Sequence, residues 1–131
     1  MKKVENFFRA LENLREIYQY NNPEGNVVIT GLVGLYEICF EQSWKAMKEN
    51  LEDSGFAERK TGSPKMVIRT AYSAELIQDE EVWLHALADR SNVTHAYNSE
   101  IAKAIIRHTK EEYVPMFDKL KATMEKDWLD G

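Results

Sequence analysis

Apolar side chains recur at three- and four-residue steps through almost the whole chain, a period that only helices satisfy. The longest stripe is Ile29, Val33, Tyr36, Phe40, Trp44, Met47 and Leu51. It predicts a single helix of about seven turns, closed by Ser54-Gly55. Gly31 and Gly34 lie inside it, where they weaken the helix locally and leave room for another backbone. Val4, Phe7, Phe8, Leu11, Leu14 and Tyr18 predict a first helix, ended by Asn21-Asn22-Pro23-Glu24-Gly25. Phe56 to Gly62 reads as a loop. Ser63-Pro64 starts a short third helix through Val67, Ile68 and Ala71 to about Leu76, with Ser as N-cap and Pro at the first helical position. Asp79 is expected to cap a fourth, with Glu80 and Glu81 in its first turn and Trp83, Ala86, Leu87 and Arg90 on one face.

Asn98 is the expected N-cap of a last helix whose stripe is Ala102, Ile105, Ile106, Thr109, Tyr113, Met116, Phe117, Leu120 and Met124. Pro115 falls within that stripe and predicts a kink or short break, because it lacks an N–H and its ring crowds the preceding turn. No segment alternates with period two, and there is no repeat. The fold class that follows is all-α: an antiparallel up-and-down bundle of four to five helices, one domain over 1–131.

Composition narrows the functional classes. Hydrophobic residues make up 44% of the 131, enough for a core and too much for disorder. The net charge of −5 argues against broad nucleic-acid binding, which runs on Lys and Arg contacts to phosphate. The single cysteine, Cys39, excludes an internal disulfide and a Cys-rich zinc site; its apolar surroundings predict a buried, inert thiol. Charged residues follow the basic start Met1-Lys2-Lys3, so no secretory signal is read. Asn92-Val93-Thr94 is then a coincidental glycosylation sequon. With no apolar run able to span a bilayer, a cytoplasmic location without membrane attachment is expected.

The segment from Asp89 to Tyr97 carries the most chemistry. Arg90 is a permanent cation suited to phosphate, His95 exchanges protons near neutral pH, and Tyr97 supplies a hydroxyl. Asp89, Ser91 and Asn92 lie among them. On an unbroken helix five residues set Arg90 and His95 about 140° apart. They converge only if the helix breaks near Asn92-Val93-Thr94 or if two chains meet there. The plainer alternative is Arg90 paired with Asp89 or a nearby Glu, and His95 bonded to backbone. Glu37, Glu41 and Lys45 repeat at four-residue spacing beside Trp44. They suit a metal or an amine, or, more plainly, a solvated face with a Glu–Lys pair.

His85 and His108 read as isolated surface or boundary residues. No His stands at ligand spacing, so no metal site is expected. Tyr72, Trp83 and Tyr113 read as core or interface residues, and Trp128 as docked on the bundle or on a partner. There is no Gly-rich phosphate loop, no nucleophile elbow, and no strand to hold acidic residues for two-metal nucleotide transfer.

Taken together, several segments resemble one family. Leu35-Tyr36-Glu37-Ile38-Cys39-Phe40-Glu41-Gln42-Ser43-Trp44-Lys45 is similar to an F-E-x-x-F-E-x-x-W-K signature, with Tyr36 in place of Phe. Ser63-Pro64-Lys65, Ala71-Tyr72 and Val82-Trp83 match an S-P-(R/K)…A…W block. Arg90 through His95 to Tyr97 matches R-x4-H-x-Y, and Tyr113-Val114-Pro115-Met116-Phe117 resembles a closing helix. The chain thus resembles the nucleotidyltransferase substrate-binding protein family of the HEPN superfamily.

The resemblance implies a HEPN-like bundle that forms a homodimer, with the R-x4-H-x-Y elements near its cleft. It also implies a separate minimal nucleotidyltransferase chain as partner. ATP and Mg2+ would then enter through that partner, with no cofactor bound by this chain. Two functions follow. The chain is a substrate-binding or regulatory subunit whose R-x4-H-x-Y cleft takes a nucleotide or RNA. Alternatively it is a metal-independent endoribonuclease toxin, with Arg90 and His95 catalytic, silenced by transfer of AMP to Tyr97. Ser91 stands where HEPN ribonucleases usually carry Asn, Asp or His after the Arg, and Ser reaches less far.

Overall fold

The computed structural model describes residues 2–55 and 62–130, with side chains as far as Lys126. Residues 56–61, read as a loop, and the Trp128 side chain lie outside what is described. The described residues form helices and their connections, with no strand. Helix α1 spans Lys2–Leu14 and runs into a 3₁₀ turn, Arg15–Gln19; α2 spans Asn26–Asp53, α3 Pro64–Ser73 and α4 Glu80–Ser91. A second 3₁₀ turn, Asn92–His95, follows α4. Then α5 (Ser99–His108) passes through a π turn (Thr109–Tyr113) directly into α6 (Val114–Asp130). The result is an antiparallel helical bundle.

Val4, Phe7, Leu11 and Leu14 are buried as their spacing requires. Tyr18, the last member of that stripe, is instead 48% exposed, and Ile17 is fully buried. The tightening at Arg15 explains the swap: at about three residues per turn, Ile17 sits directly over Leu14. The Tyr18 hydroxyl donates to the Lys110 carbonyl at 2.6 Å. The turn to α2 uses left-handed backbone at Asn22 (φ 49°) and Gly25 (φ 88°), which Asn tolerates and Gly adopts freely.

On α2 the stripe is buried except for Trp44, which is half-buried. Phe7, Phe40, Trp83 and Phe117 form the aromatic centre. Edge-on contacts of 6.0 Å link Phe7 to Phe117 and of 5.6 Å link Trp83 to Phe117. All nine stripe residues of the last helix are buried. Tyr72 lies at the surface, 48% exposed, because α3 buries Val67, Ile68 and Ala71 on its other side.

The helix starts divide. Ser63 Oγ accepts the Met66 N–H at 3.2 Å, and Asn98 Oδ1 accepts from Glu100 and Ile101 at 2.9 and 3.3 Å. Asp79 occupies the expected cap position of α4, but its side chain makes no capping bond; its carbonyl takes the Val82 and Trp83 N–H groups. The break expected at Pro115 is the π turn just before it. Pro115 cannot donate back to Glu111, and the widened turn accommodates the missing bond.

Cys39 is fully buried and burial pushes its thiol well up. Native protein should therefore resist thiol-specific labelling and react stoichiometrically only in denaturant. Asn98→Ala should lower stability by about 1 kcal/mol, the usual value of such a cap, measured as a lower urea midpoint with unchanged slope.

Candidate functional site

Helix α4 carries the site residues on two faces. Arg90 points to α2, with its Nε 3.0 Å from Glu41 Oε1 and its Nη1 3.8 Å from Glu37 Oε2. Glu41 also accepts the Trp44 indole N–H at 3.0 Å. The two groups singled out separately in the sequence are thus one cluster, in which Arg90 pairs with Glu37 and Glu41, and Trp44 holds Glu41. Their joint effect is to neutralise the guanidinium at a half-buried place. Glu41 is held by Arg90 and not by Lys45, which lines a shallow cavity with Lys3, Trp44 and Lys48.

The helix breaks where expected, in the 3₁₀ turn from Asn92 to His95. Ser91 Oγ donates back to the Leu87 carbonyl at 3.2 Å, and Asn92 is exposed at the C-cap. His95 is exposed and its ring lies edge-on to Tyr97, centroids 6.4 Å apart. Tyr97 is 88% exposed. Arg90 thus pairs across to α2 while His95 and Tyr97 form an open edge on the α4–α5 connection.

Asp89 faces a different neighbour, into the bundle, and is 8% exposed. Its Oδ2 accepts the Tyr113 hydroxyl at 2.5 Å and lies 2.7 Å from His108 Nδ1. His85, one turn earlier on α4, brings its Nε2 to 4.0 Å from the same oxygen. His85 Nδ1 lies 3.4 Å from Glu112 Oε1. The two imidazoles expected to stand apart are neighbours, with centroids 4.8 Å apart. Tyr113 also stacks on Tyr36 at 5.2 Å, and the Tyr36 hydroxyl donates to the Ala86 carbonyl. Burial, then the hydrogen bond to Asp89, push the Tyr113 phenol far up, so it remains a neutral donor.

Sequence reasoning misses this cluster because it joins three elements. Its one local signal is His85-x3-Asp89, which shares a helix face at i, i+4. Glu112 and Tyr113 come into it through the π turn, which rotates them relative to a regular helix.

A third feature is a groove lined by Asn22, Pro23, Glu24, Lys103, Ile106, Arg107 and Lys110, with a volume of about 370 Å3. It gathers three cations on an acidic chain. Lys110 is tied down there, donating to the Tyr20 carbonyl.

Tyr113→Phe removes one of two bonds to a buried carboxylate. It should cost about 1–3 kcal/mol, read as a lower denaturation midpoint with unchanged helicity.

Comparison with known proteins agrees with this architecture. Curated proteins contain no match to the chain. Among solved structures, the crystal structure of a protein from Thermus thermophilus superposes with a TM-score of 0.77 at 28% identity, covering 87% of this chain and 94% of that one. Residues 2–126 match the family described as nucleotidyltransferase substrate binding protein like. The chain therefore belongs to the nucleotidyltransferase substrate-binding protein-like family.

Proposed function

We propose that this chain is the substrate-binding or regulatory subunit of a two-chain system, paired with a minimal nucleotidyltransferase that brings ATP and Mg2+. The observation that carries this reading is the Arg90–Glu41 contact at 3.0 Å, reinforced by Glu37. A ribonuclease needs its Arg available for the charge that develops on phosphorus. Here the cation is already compensated by two carboxylates. The same pairing occupies both carboxylates of the family-like signature, Glu37 and Glu41, so they are not poised to hold catalytic metal ions for transfer. His95 and Tyr97, open on the α4–α5 edge, suit contact with a nucleotide or with the partner.

A homodimer completes the proposal. Tyr36 and Phe40 are fully buried in the core and are not part of a dimer surface. The outer face of α2 is carried instead by Val27 (89% exposed), Gly31, Gly34 and Ile38 (55% exposed). A Cβ added at Gly31 or Gly34 meets nothing within 4 Å, so each glycine leaves a flat place where a second helix could lie close. Tyr20, Val28 and Leu35 extend the apolar surface.

One observation favours the second reading, a HEPN-type endoribonuclease silenced by AMP on Tyr97. Tyr97 is 88% exposed beside His95, which a modifying enzyme would require. In that case His95 exchanges the proton of the ribose 2′-hydroxyl or the leaving oxygen, and AMP on Tyr97 blocks it by bulk and charge.

Purified chain alone should transfer no nucleotide and should co-elute with a minimal nucleotidyltransferase partner. Transfer by the chain alone contradicts the subunit reading. Light scattering at micromolar concentration should give a dimer mass, and Gly31→Arg should shift it toward monomer. RNA cleavage by the wild type, abolished by Arg90→Ala and His95→Ala in folded protein, would replace the subunit reading with the ribonuclease one.

A further inference from the structure

We propose that His85, Asp89 and His108 form a binding site for a divalent transition-metal ion, zinc being the best fit. It lies on the bundle-facing side of α4, apart from the Arg90 pair and the His95–Tyr97 edge. The proposal does not rest on the subunit reading.

One ligand atom from each of the three residues lies within 4.8 Å of the others. A tetrahedral ion with ligands near 2.0–2.1 Å sets its donors about 3.3 Å apart. The Asp89 Oδ2 distances to His108 Nδ1 (2.7 Å) and His85 Nε2 (4.0 Å) bracket that value. Small side-chain rotations would bring all three onto one sphere. Two imidazoles and one carboxylate are the donor set of zinc and related borderline ions, and an unsuitable set for Mg2+ or Ca2+, which take oxygen ligands.

Groups behind the three side chains hold them as ligands are held. A metal-binding His commonly gives its other ring nitrogen to a carboxylate, which fixes the ring and raises its basicity. Glu112 Oε1 sits 3.4 Å from His85 Nδ1 and leaves Nε2 turned toward Asp89. A ligating carboxylate is itself held by a hydrogen bond, and Tyr113 donates to Asp89 at 2.5 Å. Both supporting residues come from the π turn Thr109–Tyr113, a rare geometry that often marks functional sites. Linear spacing gives no expectation of a metal, since His108 lies 19 positions from Asp89; the fold closes that gap.

On binding, neutral His108 shifts its proton from Nδ1, where it bonds to Asp89, to Nε2, and the Nδ1 lone pair so freed coordinates the ion. Three protein ligands leave a fourth position. His85 and Glu112 have side chains 41% and 38% exposed, so this position opens to solvent. It would take a water or an anionic oxygen of a bound molecule.

The full chain, stripped with chelator, should bind one Zn2+ per chain in a calorimetric titration. Co2+ in its place should give the visible absorption bands of a low-coordinate site. H85A and H108A should each weaken binding at least tenfold. E112Q should weaken it about 10- to 100-fold through the His85 ring. H95A should leave it unchanged. His85 lies at the surface, so H85A is expected to keep its helicity and serves as the reference variant if H108A does not fold. No Zn2+ binding by folded wild type would leave a hydrogen-bonded cluster only and overturn the proposal. So would binding that H85A and H108A leave unchanged, or that H95A abolishes.

Discussion

Helix α2 is touched by α1, α3, α4 and α5, and one broad apolar face serves all these packings. Ile29, Leu32, Val33, Tyr36, Phe40, Met47 and Leu51 are buried together along it. A helix in the middle of a small bundle has to bury more than one stripe, so its pattern is broader than that of an edge helix. The other helices take their places by covering what α2 cannot leave in water. Phe7 and Phe117 meet across this core and Trp83 closes it from α4.

Tyr36 connects that apolar core to the polar interior. Its ring stacks on Tyr113 and its hydroxyl bonds to the Ala86 carbonyl. Tyr113 in turn holds Asp89. A carboxylate that is 8% exposed must be compensated, because removing it from water costs more than ordinary packing returns. The Tyr113 hydroxyl and the His108 ring supply that compensation, and they tie α4 to the α5–α6 rod. Position in this protein is therefore set twice, by apolar burial around α2 and by polar satisfaction around Asp89.

Helix α4 divides the chemistry. Consecutive residues on a helix point about 100° apart, so Asp89 and Arg90 serve different neighbours. Asp89 turns to the imidazoles and Tyr113. Arg90 turns to Glu37 and Glu41 on α2. His95, beyond the break in α4, belongs to neither and stays with Tyr97 at the surface.

The sequence alone determined the helices, most of their boundaries and most of the core. These depend on a local period, on caps such as Ser63 and Asn98, and on breakers such as Pro115, all properties of neighbours along the chain. The motif segments could be read in the same way, since each is contiguous. What surrounds them could not. That Tyr18 surfaces while Ile17 is buried depends on where a helix tightens. That Arg90 meets Glu37 and Glu41 depends on how α4 lies across α2. That His85, Asp89 and His108 converge depends on how α4 lies against the end of α5. Such contacts join residues far apart in the chain, and side chains distant in sequence acquire a common environment only once the apolar faces have packed.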